Sequence, residues 1–382
     1  MPCDVLPHLR DLPIRDLEGI LAGAGHRTPH VLARELAQAL HSRCEVDPDR
    51  LGLGQHTRAW LEERYRLAPL LTPLRLVDAQ DGTARQHLLG TGDARRFEVV
   101  RLKNLKARTL CLSSQVGCAL ACTFCATGTL GLERNLSPGE ITESLVRAQR
   151  DDDARISDVV FMGQGEPLHN YEAVMTACEN LQHPWGHAIS RRRITISTSG
   201  LVPAVRRYTA ERRPWRLHLS LHAAVEATRR ALMPIARTYP LDDLLDAFRE
   251  HQQVLGVKWL TFQYVALPGI NMDEEHVDAL ARRLVGLRVI LNVIPWNDTG
   301  GTPYRAPTWA EVKAFTTSLR RVGCPIKVRY SGGKQEGMGC GQLAGGTLPR
   351  APTGGHISAP PGLFSDLVRE PWKSSDVAAP GA

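Results

Sequence analysis

The chain has 382 residues, 43% hydrophobic and 23% charged, with a formal net charge of +7. That length supports a large core plus an appendage, and 43% hydrophobic residues with charge spread along the length read as a soluble globular protein. No apolar run approaches a membrane span, and Met1-Pro2-Cys3-Asp4 lacks the basic-then-apolar start of a secretory leader, so the expected location is cytoplasmic, with no membrane partner.

Up to about Pro73 the pattern is helical. Thr28-Pro29 reads as a cap with a first-turn proline, Leu32, Leu36 and Leu40 recur on one face, and a further helix is expected over Thr57–Tyr65. Residues 1–73 are therefore expected to form an N-terminal helical accessory domain. Over 74–104, short alternating runs around Asp81-Gly82 and Gly90-Thr91-Gly92 predict a hairpin connector.

From 105 to 345 β-branched and apolar strands alternate with helices. The predicted strands are Thr109–Ser113, Asp158–Met162, Arg193–Thr198, Arg216–Leu221, Trp259–Val265 and Val289–Ile294. The helices between them include Pro138–Gln149, Tyr171–Asn180, Leu241–Leu255 and Asp273–Leu284. Such alternation specifies an α/β fold with a parallel sheet, and six units predict a partial (βα) barrel whose chemistry gathers at the C-terminal strand ends. A last helix, Trp309–Val322, an extra strand, Ile326–Tyr330, and a glycine-rich segment, Ser331–Gly341, complete it. The Pro/Gly-rich tail over 346–382 is too poor in core residues to fold alone and is expected to be disordered.

The nine cysteines are an odd set dominated by one cluster, Cys118-x3-Cys122-x2-Cys125, which speaks for metal or redox chemistry rather than a disulfide framework. Thiolates are soft ligands that select zinc, copper(I) or iron–sulfur clusters. A closed zinc site wants four protein ligands, and the spare candidates, Cys111 and His169, sit at no familiar zinc offset. Phe124 stands where it can screen the centre from water. Arginine runs, among them Arg191-Arg192-Arg193, Arg206-Arg207, Arg212-Arg213, Arg229-Arg230, Arg282-Arg283 and Arg320-Arg321, can neutralise phosphates, although solvated surface arginines read the same way.

A cysteine triplet after one strand and Gly163-Gln164-Gly165-Glu166-Pro167 after the next together resemble the radical S-adenosylmethionine superfamily. The flanking runs are narrower: Cys111-Leu-Ser-Ser-Gln-Val-Gly-Cys118, Phe124-Cys-Ala-Thr-Gly128, Arg134-Asn-Leu136, Phe161-Met-Gly, Ser197-Thr-Ser-Gly200, Ser220-Leu-His222, Ile294-Pro-Trp-Asn297 and Cys340-Gly-Gln-Leu343. They resemble the RlmN/Cfr family, which methylates an adenine of 23S ribosomal RNA at carbon 2, over roughly residues 95–345.

That resemblance implies a 4Fe–4S cluster on Cys118, Cys122 and Cys125, and an S-adenosylmethionine pocket at Gly165, Glu166, Ser197, Ser220, Leu221, His222 and Asn297. It further implies that Cys340 is methylated by one S-adenosylmethionine and that a radical derived from a second activates this methyl group for addition to the base. Glu98 would accept the proton, and Cys111 would release the product by forming a transient disulfide with Cys340. Read without the resemblance, Cys111 is core packing, Glu98 a solvated hairpin residue and His222 a satisfied core histidine. The implied partners are RNA, with transfer RNA an alternative to 23S, and an electron donor such as flavodoxin or ferredoxin. One departure stands out: Arg329-Tyr-Ser-Gly-Gly-Lys-Gln-Glu-Gly-Met-Gly-Cys340 replaces the family's usual Asp-Ile-x-x-Ala-Ala approach to the cysteine, which leaves the target nucleotide, and a sister activity at adenine carbon 8, open.

Overall fold

The computed structural model describes residues 6–43, 45, 48–51, 53–103, 107–151 and 154–344; Cys3, Cys44 and the tail expected over 346–382 lie outside them. Its frame is one ten-stranded sheet and one two-stranded ribbon. Strands β1 (Leu71–Asp78), β2 (Ala84–Thr91), β3 (Arg96–Lys103) and β4 (Arg108–Leu112) pair antiparallel. Strands β5 (Gln115–Gly117) and β6 (Leu132–Asn135) form the separate ribbon. The large sheet then continues in parallel through β7 (Asp158–Phe161), β8 (Ile194–Thr198), β9 (Arg216–Ser220), β10 (Leu260–Ala266), β11 (Val289–Pro295) and β12 (Ile326–Val328). The hairpins over 74–104 are thus part of the sheet itself, and β3 is an interior strand.

The helices are α1 (Leu17–Gly23), α2 (Pro29–Ala37), α3 (Gln55–Glu62), α4 (Ala126–Thr129), α5 (Pro138–Arg150), α6 (Tyr171–Gln182), α7 (Val202–Ala210), α8 (Glu226–Leu232), α9 (Leu241–Leu255), α10 (Glu274–Arg283) and α11 (Trp309–Ser318). Helix α5 starts at a full capping box, Ser137 with Glu140, and α9 stops at Gly256, whose φ of 61° an L side chain resists. The helix expected over Trp309–Val322 changes to a 3-10 turn at Leu319 and ends at Gly323.

Alternation along the parallel strands decides which side chains meet the helices. Leu217, Leu219, Phe262, Tyr264, Leu291 and Val293 belong to the main core, each apolar side chain contributing roughly 1.5–3 kcal/mol on burial. The alternate positions Ser197, His218, Ser220, Gln263 and Asn292 therefore face the barrel interior. A one-residue slip would exchange the two sets, so the core fixes the polar lining.

The N-terminal helices bury a second core that includes Leu9, Ile14, Leu36, Leu40 and Leu61. Buried polar bonds fasten it to the barrel: Asn180 of α6 accepts from the Ile14 amide (2.8 Å) and donates to the Leu12 carbonyl (3.0 Å). The His41 and His187 rings lie 6.4 Å apart. Burial first, then the Arg155 and Arg10 charges, holds His187 down to about 3, and burial with Arg10 holds His41 well below its ordinary value.

An unfolded imidazole titrates near 6.5, so the unfolded chain takes up protons first as pH falls. Stability is complete above about pH 6.5 and declines below it by about 1.4 kcal/mol per pH unit for each such histidine. Urea unfolding at pH 7 and pH 5 should show this slope, and His187→Gln should flatten it; equal midpoints at both pH values would contradict the account.

Candidate active site

Ribbon β5/β6 holds the cysteine loop between its strands. Gly117 (φ 74°) turns into it, and a Cβ there would overlap the Gly131 carbonyl oxygen. The Cys118 amide donates to that carbonyl at 2.8 Å, Ala121 adopts a left-handed φ of 50°, and the Thr123 amide donates to Leu232 of α8 at 3.0 Å. Burial pushes the Cys118 thiol up to about 12, raises Cys125, and with the neighbouring thiolates raises Cys122 still further.

Bare thiolates are thus disfavoured here, yet backbone amides are aimed at two of the sulfurs: those of Leu120 and Gly165 at Cys118, and those of Gly128 and Thr127 at Cys125. Amide bonds to sulfur stabilise the thiolates of iron–sulfur clusters, so the donor set and its surroundings fit a cluster. Among the described residues no three histidine, cysteine or carboxylate side chains are gathered around a single ion site. Phe124 packs with Val265, Leu267 and Trp296 beside Cys122 and Cys125, and the Trp296 indole donates to the Phe124 carbonyl at 2.9 Å.

The glycine–glutamate loop follows β7 and packs against this ribbon. Gly165 has φ 95°, and a Cβ on it would lie 2.6 Å from the Gln115 side chain. The Gln115 amide oxygen accepts from the Glu166 amide at 2.9 Å, while its nitrogen reaches Asn135 at 2.7 Å and His169 at 2.9 Å. His169, the spare zinc candidate, is thus engaged elsewhere. The buried Glu166 carboxylate accepts from the amides of Leu168 (3.0 Å) and Ser199 (2.8 Å), and burial raises its pKa.

The Ser197 and Ser220 hydroxyls meet at 3.2 Å across β8 and β9. Leu221 packs its side chain into the main core. His222 holds φ 59°, accepts from the Val265 amide at 3.0 Å and touches Phe124 edge-on at 4.9 Å between ring centroids. Burial holds it down to about 3, so it is a neutral, hydrogen-bonded imidazole at the strand ends.

Beyond β12 the chain crosses from one edge of the sheet to the other. Gly332 and Gly333 pass Thr83 and Ala84, the Gln80 amide donates to Glu336 at 3.1 Å, and Met338 and Leu343 pack with Ala79, Ala84 and Val100. This strap sets Cys340, an exposed residue, over the cysteine loop. The Ala126 amide donates to the Gly341 carbonyl (2.7 Å), and Thr127 donates to the Leu343 carbonyl (2.6 Å). Asn297, expected in the cofactor pocket, donates to the Cys340 carbonyl (3.1 Å) and to Ser331 Oγ (2.8 Å).

Crowding by the protein pushes the Cys340 thiol up to about 11, with Cys125 adding to it; Cys111, on β4, is pushed up to about 12 by burial and then by Cys340. Glu98 is only 2% exposed, which overturns the solvated-hairpin reading. Its carboxylate accepts from Gln86 (2.9 Å) and from the Ala344 amide (2.9 Å), and its own amide donates to Gln164 (3.1 Å). The strap covers β3 at Glu98 and Val100, while Arg96 and Lys103 at the strand's ends stay exposed.

Sequence reasoning missed Gln115 and Gln164, which link the loops, and Arg229, which donates to the carbonyls of Leu221 (3.2 Å) and Ser199 (2.7 Å). A buried arginine inside an arginine pair carries no signal of its burial. It also missed Gln263 and Asn292, whose side-chain oxygens have no hydrogen-bond partner among the described residues; the period-two pattern could have found them. Several arginines read as phosphate contacts are instead ion-paired: Arg207 with Glu172 and Glu211, Arg213 with Glu179, and Arg230 with Glu226.

A family profile described as the Radical SAM superfamily matches residues 112–281. A probable RNA methyltransferase of Anaeromyxobacter sp. (strain Fw109-5) is 45% identical over 83% of this chain and 96% of its own. The same organism has a dual-specificity RNA methyltransferase RlmN that is 40% identical over 94% of this chain and 95% of its own. The crystal structure of a radical SAM methyltransferase from Sphaerobacter thermophilus matches with a TM-score of 0.83 and 38% identity, covering 89% of this chain and 99% of that one. Sharing nearly the full length of these relatives, the chain belongs to the radical S-adenosylmethionine superfamily and, within it, to the RlmN/Cfr family.

Proposed function

We propose that the protein methylates an adenine of RNA, carbon 2 of a 23S ribosomal RNA adenosine, with Cys340 as the methyl carrier. One observation carries this reading: the strap returns Cys340 from the far end of the chain to Glu98 and Cys111, on the adjacent strands β3 and β4, beside the cysteine loop. When bound, a 4Fe–4S cluster on Cys118, Cys122 and Cys125 and S-adenosylmethionine supply one-electron chemistry at carbon. Such chemistry is needed because the hydrogen on adenine carbon 2 is not acidic and the carbon is electron-poor.

The chain's residues do the rest. Cys340 reaches the base because its residue is exposed, whereas Cys111 waits in the strand behind it. Glu98, fixed by Gln86 and the Ala344 amide, is placed to take the proton that the substituted base must lose. Cys111, as its thiolate, would then attack the Cys340 sulfur: a sulfur–sulfur bond forms as the carbon–sulfur bond breaks, the departing carbon keeps the electron pair and takes up a proton to become the methyl group, and an external dithiol reduces the disulfide before the next turnover. The Phe124 cluster keeps water from the cysteines. Carbon 2 is crowded by a pairing partner, so the base must come from a loop or be flipped out. A protein such as flavodoxin or ferredoxin would supply electrons.

Mapping methyladenosines in ribosomal and transfer RNA from cells lacking the protein tests this. One carbon-2 methyl group should vanish and return with the restored gene; unchanged RNA would sink the reading. A second reading, another adenine position or another RNA, is favoured by the rewritten strap before Cys340 and by the two differently named relatives in one organism. The same map separates the two.

A further inference from the structure

Arg229 is 1% exposed. A buried cation costs several kcal/mol unless an opposite charge answers it, and buried arginines are normally paired with a carboxylate. None of the described carboxylates lies within ion-pair distance of it, although Glu226 acts on it from further away. Glu226, one turn before it on α8, is committed to Arg230 (2.8 Å) and to the Leu241 amide (3.0 Å). The guanidinium instead donates to two backbone carbonyls, Ser199 after β8 and Leu221 after β9.

Each contact leads to the cysteine site. Ser199 is also the residue whose amide binds Glu166. Helix α8 touches the cysteine loop directly, since the Thr123 amide donates to the Leu232 carbonyl and Leu232 packs with Phe124 beside Cys122. The charges of Arg229 and the Cys122 sulfur also act on each other. Besides Glu166, held at Ser199, and the more distant Glu226, the group near it that would be anionic is the thiolate set with whatever it binds.

We propose that Arg229 is the fixed positive charge that answers the anionic iron–sulfur cluster at Cys122, a positioning residue that sets the cluster's reduction equilibrium. The inference rests on the cluster reading above. Reduction places one more electron on an already anionic group, and a neighbouring cation in a dry site favours that state. Its two carbonyl bonds hold the charge in place, and the helix carries it against the loop.

The test is a reductive titration of the reconstituted protein followed by electron paramagnetic resonance, with dithionite as reductant and without RNA. Arg229→Gln keeps donors for the carbonyls and removes the charge. Its cluster should become at least tenfold harder to reduce, a midpoint about 59 mV lower for a one-electron couple. Arg229→Lys keeps the charge and loses the fork, and should stay within threefold of the parent. A glutamine variant with full iron and sulfide and an unchanged midpoint would overturn the proposal. Should that variant fail to fold, the lysine variant decides: a midpoint near the parent's supports the charge role, and a tenfold shift contradicts it. A parent protein holding no iron or sulfide would instead refute the cluster reading itself.

Discussion

Cys340→Ala should lower RNA methylation roughly a thousandfold or more, the scale on which a group that bonds to the reacting atoms is lost. The fold should survive, because the residue is exposed and the strap is held by Met338, Leu343 and the backbone bonds of Gly341 and Ala344. Cys111→Ala should act differently. With Cys340 intact the methyl group is still delivered, but the carbon–sulfur bond has no thiol to break it. Denaturing gels of enzyme incubated with RNA should therefore show a covalent complex that ribonuclease removes. Cys111→Ala protein that turns over freely at the parent rate would take Cys111 out of the release step. The substitution itself should cost only about 1 kcal/mol of stability.

The second large effect is on stability. Glu143 of α5 is fully buried and accepts from the Leu70 (2.9 Å) and Leu71 (3.2 Å) amides and from Arg147 (2.9 Å), with Arg10 at 3.5 Å. It therefore ties the N-terminal unit, the first strand and the barrel together. Glu143→Ala should destabilise the protein by about 3–5 kcal/mol, because Arg10 and two amides lose their buried partner. Urea unfolding measures this. The double variant Arg10→Met, Glu143→Leu should recover part of the loss, since it removes the buried Arg10 charge too and leaves Arg147 its bond to the Leu71 carbonyl. A loss below about 1 kcal/mol for Glu143→Ala would mean that water reaches the clasp.

The parallel strands and long helices were legible because period-two and period-3.6 patterns reflect burial directly; α9 runs over Leu241–Leu255 as its pattern predicts. Helices α7 and α8 were not, because they are short, and α7 opens with a Val202-Pro203 start in an arginine-rich stretch. Ribbon β5/β6 escaped because its pairing spans the cysteine loop and each strand is too short to show a period. The cysteine loop and glycine–glutamate loop were legible as local motifs. The burial of Glu98 was not, since it depends on a strap hundreds of residues away. Nor was the dual engagement of Asn297, which in this structure holds the Cys340 carbonyl.

The strap that runs from β12 to the β1–β3 edge does two jobs with one piece of backbone. It presents Cys340, and it is the seam that joins the two free margins of an otherwise open sheet. The residues between Arg329 and Cys340 therefore bear on the closure of the sheet as well as on where the cysteine stands.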